Sequence, residues 1–231
     1  AGSATIEQPS SQQMIIQQTT EKAIIDWQEF GIGSAEQVDF QLSQGGVTLN
    51  RVTGNDVSNI FGKLTSNGDL WLINPNGILF GANSQVDVHG LLATTSDISN
   101  ADFLSSNYNF GIPSSLSSTV INQGSITAAE GGLVALVAPG VQNLGIITAR
   151  LGKVSLASGE TFTVDLYGDQ LINLGVDSQV MGQVTGKDGE VLSSLVTNSG
   201  SIFADGGVVR LDVNAAQGIV DRVINMDGVI Q

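Results

Sequence analysis

Apolar residues in this chain occur in short runs that are broken by glycine and asparagine, without a sustained helical period of 3.6 residues. Such runs predict short β-strands joined by tight corners. Three stretches share one order: Asn-x-Gly-x-Ile, a small or polar spacer, a glycine and a strand that contains leucine. They are "NQGSITAAEGGLVALVA" from Asn122, "NLGIITARLGKVSLAS" from Asn143 and "NSGSIFADGGVVRLDV" from Asn198. This order indicates a repeat, with a degenerate copy from Asn225 and an earlier relative from Val88.

A repeat of this kind predicts an all-β fold, a parallel β-helix whose coils stack at intervals of about 4.8 Å. One coil is too short to bury its own apolar side, so stacking must supply continuous inward columns. Leucine-rich repeats have a similar period, but their Leu-x-x-Leu-x-Leu signature is missing. The residues that we expect in two inward columns are Ile126, Ile147 and Ile202, and Leu136, Leu156 and Leu211. Stacked corner asparagines suit hydrogen-bonded ladders along the solenoid.

The less regular parts of the chain suggest how a single domain, residues 1–231, is organised. A solenoid needs its open end covered, so residues 5–45 are expected to form an N-terminal β cap, plugged by Trp27 and Phe30. The other expected parts are coils over residues 46–231 with irregular insertions near 96–118 and 161–197. The second insertion should contain irregular coils or a projecting hairpin.

Smaller signals concern one helix and the two termini. Residues 96–106 predict one or two helical turns, where Ser99 and Asp102 resemble a capping box without its preferred Glu or Gln. The beginning, "AGSATIEQ", has no features of a signal peptide, so we expect any such signal to have been removed. The end is a repeat without an evident cap, which favours a fragment of a longer protein.

Composition argues against several classes of partner. The formal net charge is −14, with 22 acidic and 8 scattered basic residues. Nucleic acid and anionic membranes need a basic surface, so we expect neither as a partner. There are no cysteines, which excludes disulfides and thiolate metal sites. No apolar stretch approaches the roughly 18 residues of a membrane helix. The calcium patterns of β-rolls and EF-hands are also absent, so we expect no metal and no cofactor.

Catalysis finds little support in the residues. The chain has one histidine, His89, and no Gly-x-Ser-x-Gly elbow for a nucleophilic serine. Asp165 and Asp169 lie four residues apart and could share one side of a strand, while Asp212 stands in a separate strand. We expect solvated turn carboxylates and no catalytic residues. A carbohydrate-active β-helix enzyme, a polysaccharide lyase or hydrolase, stays open as the alternative, with a lateral cleft lined by carboxylates as its discriminating feature.

One turn carries more polar residues than the strands around it. Asn74, Pro75, Asn76 and Gly77 separate the apolar runs "DLWLI" and "ILF", the second of which begins at Ile78. Proline sets φ for the second turn position, and an asparagine side chain can bond the backbone two residues later. If each asparagine acts like a helix cap, its replacement by alanine should cost about 0.5–2 kcal/mol.

The longer segment around this turn resembles a known family. Residues 49–99, "LNRVTGNDVSNIFGKLTSNGDLWLINPNGILFGANSQVDVHGLLATTSDIS", are similar to the secretion (TPS) domain of two-partner-secreted exoproteins, the family of filamentous haemagglutinin and the high-molecular-weight adhesins. The Asn-Pro-Asn-Gly-Ile motif matches at residues 74–78, and the similarity extends to Asn50, Arg51 and Val52, to "IFGKL" and to "TTSDIS". Upstream, Trp27 and Phe30 match a Trp-x-x-Phe region. The family's second tetrapeptide, Asn-Pro-Asn-Leu, is missing, and "LNRVTGND" stands near its place.

The resemblance implies a right-handed parallel β-helix with an N-terminal cap and an extra-helical hairpin or small sheet. It also implies a targeting and folding module, not an enzyme, that passes through the periplasm of a Gram-negative bacterium to the cell surface or medium. Its partner would be an outer-membrane β-barrel transporter of the Omp85 superfamily, whose POTRA domains would capture the chain by strand addition. We expect a monomer. A stand-alone carbohydrate-binding adhesin is a third hypothesis, but it should expose a row of aromatic residues, and the chain has two Trp and two Tyr.

Overall fold

The computed structural model describes residues 1–165, 172–174, 179–186 and 188–231. Within these ranges the chain forms one helix, α1 (Asn100–Leu104), and 23 strands. The strands are β1 (Ala4–Ser10), β2 (Gln13–Gln18), β3 (Lys22–Trp27), β4 (Gln37–Gln41), β5 (Val47–Val52), β6 (Ser58–Ile60), β7 (Lys63–Ile73), β8 (Ile78–Phe80), β9 (Gln85–Thr94), β10 (Asn109–Phe110), β11 (Thr119–Asn122), β12 (Ser125–Ala128), β13 (Leu133–Ala138), β14 (Gly140–Asn143), β15 (Ile146–Thr148), β16 (Lys153–Ser158), β17 (Phe162–Val164), β18 (Ile172–Asn173), β19 (Ser194–Asn198), β20 (Ser201–Phe203), β21 (Val208–Val213), β22 (Arg222–Met226) and β23 (Val229–Ile230).

The strands stack in parallel and form three faces. Face 1 contains β2, β4, β12, β15, β20, β23 and the first halves of β7 and β9. Face 2 contains β3, β5, β13, β16, β21 and the second halves of β7 and β9. Face 3 contains β6, β8, β11, β14, β19 and β22. One strand from each face makes a coil, and we number the coils from β2–β3 (coil 1), through β4–β6 (coil 2), β7–β8 (coil 3) and β9–β11 (coil 4), to β20–β22 (coil 7). The predicted parallel β-helix is confirmed.

The inward columns follow the predicted repeat alignment. Ile147 pairs with Ile126 in the coil before it and with Ile202 in the coil after it, and all three side chains are fully buried. The leucine column is continuous in the same way, with Leu136 and Leu156 fully buried and Leu211 partly buried against the same core. A shift of one residue would turn each column to solvent, so the side chains fix the register.

The asparagine corners form a ladder inside the stack. Asn122 Nδ2 donates to Asn143 Oδ1 at 2.8 Å, and Asn143 Nδ2 donates to Asn198 Oδ1 at 2.7 Å. The next donor, Asn198 Nδ2, is buried and finds no acceptor among the described residues. The degenerate copy was placed one residue too early, because β19 and β22 pair Asn198 with Met226 and leave Asn225 beside Thr197. The other copies read Asn-x-Gly, whereas this copy reads Asn-x-x-Gly. When Gly228 is in register, Asn225 therefore lies one residue before the asparagine position.

The N-terminal end combines one antiparallel strand with regular coils. β1 runs antiparallel to β2, whereas β2 already pairs in parallel with β4. Parallel stacking therefore begins at Gln13, inside the segment expected to form the cap. The ring centroids of Trp27 and Phe30 lie 5.4 Å apart, and Phe30 lies 6.4 Å from Phe40 in the core. These aromatic side chains fill the first coil at this end, while the extent of a cap over 5–45 stays a prediction.

Two insertions leave the stack and cover the outer side of face 2. The first contains α1 and β10; Ser99 caps α1 by accepting the backbone N–H of Asp102 at 3.0 Å, as the sequence suggests. The second contains β17 and β18, which join β10 in a three-stranded antiparallel sheet outside the helix. The extra-helical sheet that the resemblance implies is thus present. At five residues α1 is short, and no helix in the described ranges is long and apolar enough to span a membrane.

Candidate functional site

The Asn-Pro-Asn-Gly motif forms the corner between β7 on face 2 and β8 on face 3. Gly77 N donates to Asn74 O at 3.0 Å, which closes the turn, and Asn76 N donates to Asn74 Oδ1 at 2.9 Å. This is the side-chain bond to the backbone two residues later that the sequence predicts. Gly77 has φ +117°, and an added Cβ would come within 3.1 Å of Thr119 O in the next coil. The last turn position therefore needs glycine.

The same corner is bonded to the coil before it. Asn74 Nδ2 donates to Asp56 O and to Ser58 Oγ, both at 2.9 Å. Asn76 Nδ2 donates to Gly54 O, also at 2.9 Å. These acceptors belong to the corner of coil 2, where "TGND" stands near the place of the missing Asn-Pro-Asn-Leu motif. The amides of one corner thus satisfy backbone groups of the corner beneath it.

Bonds to the following coil complete the arrangement. Asn74 N donates to Thr94 O at 3.0 Å, and Ser118 Oγ donates to Pro75 O. The motif therefore connects three successive coils. Asn74 is fully buried and Ile78 is 1% exposed, whereas Pro75 is exposed. A helix cap is partly solvated and this amide is not, so we expect the cost of replacing Asn74 to lie above that of a helix cap.

The second predicted group, Asn50, Arg51 and Val52, lies one coil below, in β5. Asn50 is fully buried; its Oδ1 accepts Trp27 Nε1 at 3.0 Å, so it links this motif to the Trp-x-x-Phe region. Val52 is 2% exposed and packs in the core. β5 and β7 pair Arg51 with Ile73, the residue before the Asn-Pro-Asn-Gly corner. The fold brings the two sequence motifs side by side on adjacent coils.

Arg51 turns outward and joins a third part of the resemblance. Its Nε lies 2.9 Å from both carboxylate oxygens of Asp97, within "TTSDIS". The guanidinium also donates to Ile98 O at 2.7 Å and to Asn100 Oδ1 at 2.8 Å, and it reaches Asp26 at 3.1 Å. A planar, multidentate donor suits this set of acceptors, which a lysine could not satisfy together.

A shallow apolar groove lies beside the corner on the outer side of face 3. Its volume is about 270 Å³, and its lining includes the exposed side chains of Val57 and Phe61 and the buried Leu79 and Ile121. Asn76 contributes a polar edge. In the folded domain, this groove and Pro75 are the parts of the corner region that another molecule could touch.

Two of the residues considered for catalysis, His89 and Asp212, each pair with a different residue. His89 Nδ1 lies 2.7 Å from Asp69 Oδ1, an exposed pair on a corner, and Arg210 Nε lies 2.5 Å from Asp212 Oδ2. Asp165 follows β17, and Asp169 lies outside the described residues. Across the described part of the chain, no three His, Cys, Asp or Glu side chains are grouped so that they could hold a metal ion.

Sequence reasoning missed the partners of the motif residues. Ser58 and Ser118, which bond Asn74 and Pro75, lie in segments without a distinctive pattern. Lys22 was counted as one of the scattered cations, although it contacts residues 81 to 84 positions later. The one sequence signal for these contacts is the spacing of the corners along the chain. Residues that are about one coil apart in sequence lie next to each other in the stack.

The three-faced parallel β-helix, its extra-helical sheet and the buried Asn-Pro-Asn-Gly corner define a β-helical secretion module. The chain belongs to the TPS secretion domain family, whose model matches residues 2–231. Members of this family are exported from Gram-negative bacteria by two-partner systems, in which an outer-membrane transporter is the partner. The resemblance stated from the sequence is confirmed.

Individual relatives support this assignment. Two proteins of Haemophilus influenzae named heme/hemopexin-binding protein are 43% identical over 110 residues and 34% identical over 193 residues. The matches cover 47% and 80% of this chain but 12% and 21% of those proteins, so the chain spans a small part of their length.

Two solved structures resemble the whole chain. The HMW1 secretion domain from Haemophilus influenzae has a TM-score of 0.73 and 28% identity, over 100% of this chain and 62% of that chain. The filamentous hemagglutinin secretion domain has a TM-score of 0.53 and 16% identity, over 97% of this chain and 98% of that chain, a likeness of fold.

Proposed function

We propose that the transporter captures this domain in the periplasm before the β-helix has formed, through the extended segment 69–80 that contains the Asn-Pro-Asn-Gly corner. The observation that supports this is burial. Asn74 and Ile78 have almost no exposed surface in the folded domain. A partner that recognises these side chains must therefore meet them while the chain is still unfolded.

The flanks of the motif suit recognition by strand addition. Leu70 and Leu72 before the turn, and Phe80 after it, are inward residues of the folded core and would be free in an extended chain. An extended segment can pair its backbone with a sheet edge while alternate apolar side chains enter pockets. We propose that the sheet edge belongs to the POTRA domains of an Omp85-superfamily transporter, and that the exported domain is a monomer.

Folding outside the cell would then make export directional. Each new coil buries apolar surface, which is worth about 25 cal/mol per Å². A solenoid can add coils one at a time, because each coil contacts only its neighbours. In this proposal, the domain first supplies the captured segment and then the first folded coils on which later coils stack.

A peptide experiment tests the capture step. Residues 71–81, "WLINPNGILFG", are compared with residues 133–143, "LVALVAPGVQN", a second apolar strand and turn of equal length without the motif. We expect purified POTRA domains of the partner transporter to bind the first peptide and the urea-unfolded domain, but not the second peptide or the folded domain. Equal binding of both peptides, or preferential binding of the folded domain, would contradict the proposal.

Secretion in cells separates recognition from stability. The variant Asn74→Ala is compared with Leu156→Ala, which opens a cavity in the core of a later coil at a cost of about 2–5 kcal/mol. At an equal loss in the free energy of unfolding, we expect Asn74→Ala to reduce secretion much more than Leu156→Ala does. If both fall together, the corner acts through folding alone and is not recognised.

We further propose that the domain has no catalytic role. The support is that His89 and Asp212 each pair with a different residue, Asp69 and Arg210 respectively. We expect no turnover of polysaccharides by the purified domain. Turnover that disappears in Asp165→Ala would favour the enzyme hypothesis instead.

A further inference from the structure

The outer side of face 2 carries an apolar surface that a later part of the chain covers. Trp71 projects outward from coil 3, and its ring centroid lies 5.4 Å from that of Phe103 and 4.8 Å from that of Tyr108. Phe110 follows at 5.6 Å and stacks on Phe162. The covering residues 97–110, which we name the latch segment, come after β9. Coils 1 to 3 therefore cannot bury this surface with their own residues.

A cation from coil 1 holds the middle of the latch segment, where α1 ends. Lys22 Nζ donates to Phe103 O at 2.8 Å and to Ser106 Oγ at 2.7 Å. It also lies 5.4 Å from the ring centre of Phe103 and 5.0 Å from that of Tyr108. The last turn of α1 contains no basic residue, so Lys22 supplies the positive charge beside its terminal carbonyl groups.

A second cation, from coil 2, holds the start of the latch segment. Arg51 contacts Asp97, Ile98 and Asn100, at the start of α1. The side chains of Arg51 and Asp97 are 13% and 21% exposed, so the pair is largely shielded from solvent. Hydrogen bonds to charged groups are worth more than neutral ones, and more still when solvent is excluded.

The strand that carries Lys22 has weak support of its own. β3 is the edge strand of face 2; it pairs along its length with β5, and on its open side Ile24 bonds Ala1. An edge strand with one neighbour opens more easily than a central strand. β13 and β16, by contrast, have a parallel neighbour on each side.

We propose that residues 97–110 are a latch that locks the first three coils, so that β3, β5 and the latch segment open and close as one cooperative unit, separately from coils 5 to 7. Arg51 fixes its start to coil 2, Lys22 fixes its middle to coil 1, and its aromatic residues cover a third coil through Trp71. The consequence for export rests on the function proposed above. The early coils would remain extended, and available to the transporter, until residue 110 has emerged.

Hydrogen exchange of the 231-residue chain, followed by mass spectrometry, tests the latch without the transporter. The variants are Arg51→Met and, as a milder change, Lys22→Met, both of which keep an apolar stem. The control is Lys63→Met, an exposed cation on face 1. We expect exchange in β3, β5 and the latch segment to rise together by about tenfold or more, as hydrogen bonds from a charged donor are lost. Exchange in β13 and β16 should not change.

Three results would overturn the inference. A uniform rise that includes β13 and β16 would show that the segment adds only to global stability. Faster exchange of the latch segment alone would show that it covers the coils without locking them. No change relative to Lys63→Met in either variant would show that the two cations do not hold the segment. Because no transporter is present, failure here is distinguishable from failure of the capture proposal.

Discussion

Replacement of Asn74 by alanine is the sharpest test of the corner. The side chain makes four hydrogen bonds: Nδ2 donates to Asp56 O and Ser58 Oγ, and Oδ1 accepts from the backbone and side-chain nitrogens of Asn76 at 2.9 and 3.0 Å. Alanine removes all four in a fully buried position. A buried group that loses its partner costs about 1–3 kcal/mol. Ser58 Oγ is buried, whereas the other groups lie closer to solvent, so we expect a total loss of about 3 kcal/mol.

Asn76→Ala is the matched comparison. Asn76 is half-buried and its Nδ2 bonds Gly54 O, so water can replace part of what is lost. We expect about 1 kcal/mol for this variant. Both losses are smaller than a typical domain stability of about 5–15 kcal/mol, so each variant should still fold.

Urea unfolding followed by circular dichroism measures both free energies of unfolding. A double-mutant cycle of Asn74→Ala with Ser58→Ala should show a coupling of about 0.5–3 kcal/mol, because the two side chains share a hydrogen bond. The reasoning fails if Asn74→Ala costs no more than Asn76→Ala, or if the effects of Asn74→Ala and Ser58→Ala simply add.

Three further outcomes follow from the stack and from α1. Met226→Asn should raise the free energy of unfolding in urea by about 0.5–1.5 kcal/mol, because it gives Asn198 Nδ2 an acceptor. A loss of stability like that of Met226→Ala would contradict this. Gly145→Ala should cost about 3 kcal/mol or more in the same assay, because its Cβ would lie 2.1 Å from a backbone oxygen of the coil before it; a neutral result would refute that contact. Hydrogen bonds from Ser99, then Asn107, lower the pKa of Asp102, so its contribution is present above the unfolded-state pKa and is lost as the pH falls below about 4. The protection of the α1 amides, corrected for the intrinsic pH dependence of exchange, should fall there, and Asp102→Asn should abolish that loss of protection; an unchanged loss in the variant would exclude this cause.

The sequence predicted the parts of the fold that depend on neighbouring coils. The columns of Ile126 and Leu136 could be aligned because each coil repeats the same inward positions. In the degenerate copy the spacing between asparagine and glycine changes, so both cannot stay in register, and Met226 instead of Asn225 stacks on Asn198. A local sequence pattern predicts which residues stack on each other only while the spacing of its residues is the same in every coil.

The candidate site was predicted in part. The turn at Asn74 and its side-chain bond to Asn76 follow from local chemistry, so both could be predicted from the sequence. The bonds to Ser58 and Ser118 depend on which corners stack, and serine carries no pattern of its own. The contact between Lys22 and α1 joins residues more than 80 positions apart through an insertion outside the repeat, which no periodicity can reveal.

The asparagine ladder has a fixed length and a direction. Asn122 Oδ1 is satisfied within its own corner by Gly124 N, while the Nδ2 groups of Asn122 and Asn143 each donate to the asparagine of the following coil. The residue that pairs with Asn122 in the preceding coil is Phe80, and the residue that pairs with Asn198 in the following coil is Met226. A phenyl ring therefore covers one end of the three amides, and a thioether covers the other end. Two copies placed end to end could not join their ladders, because neither end presents a matching amide. The amide ladder can therefore set the register within the domain without continuing into a second copy.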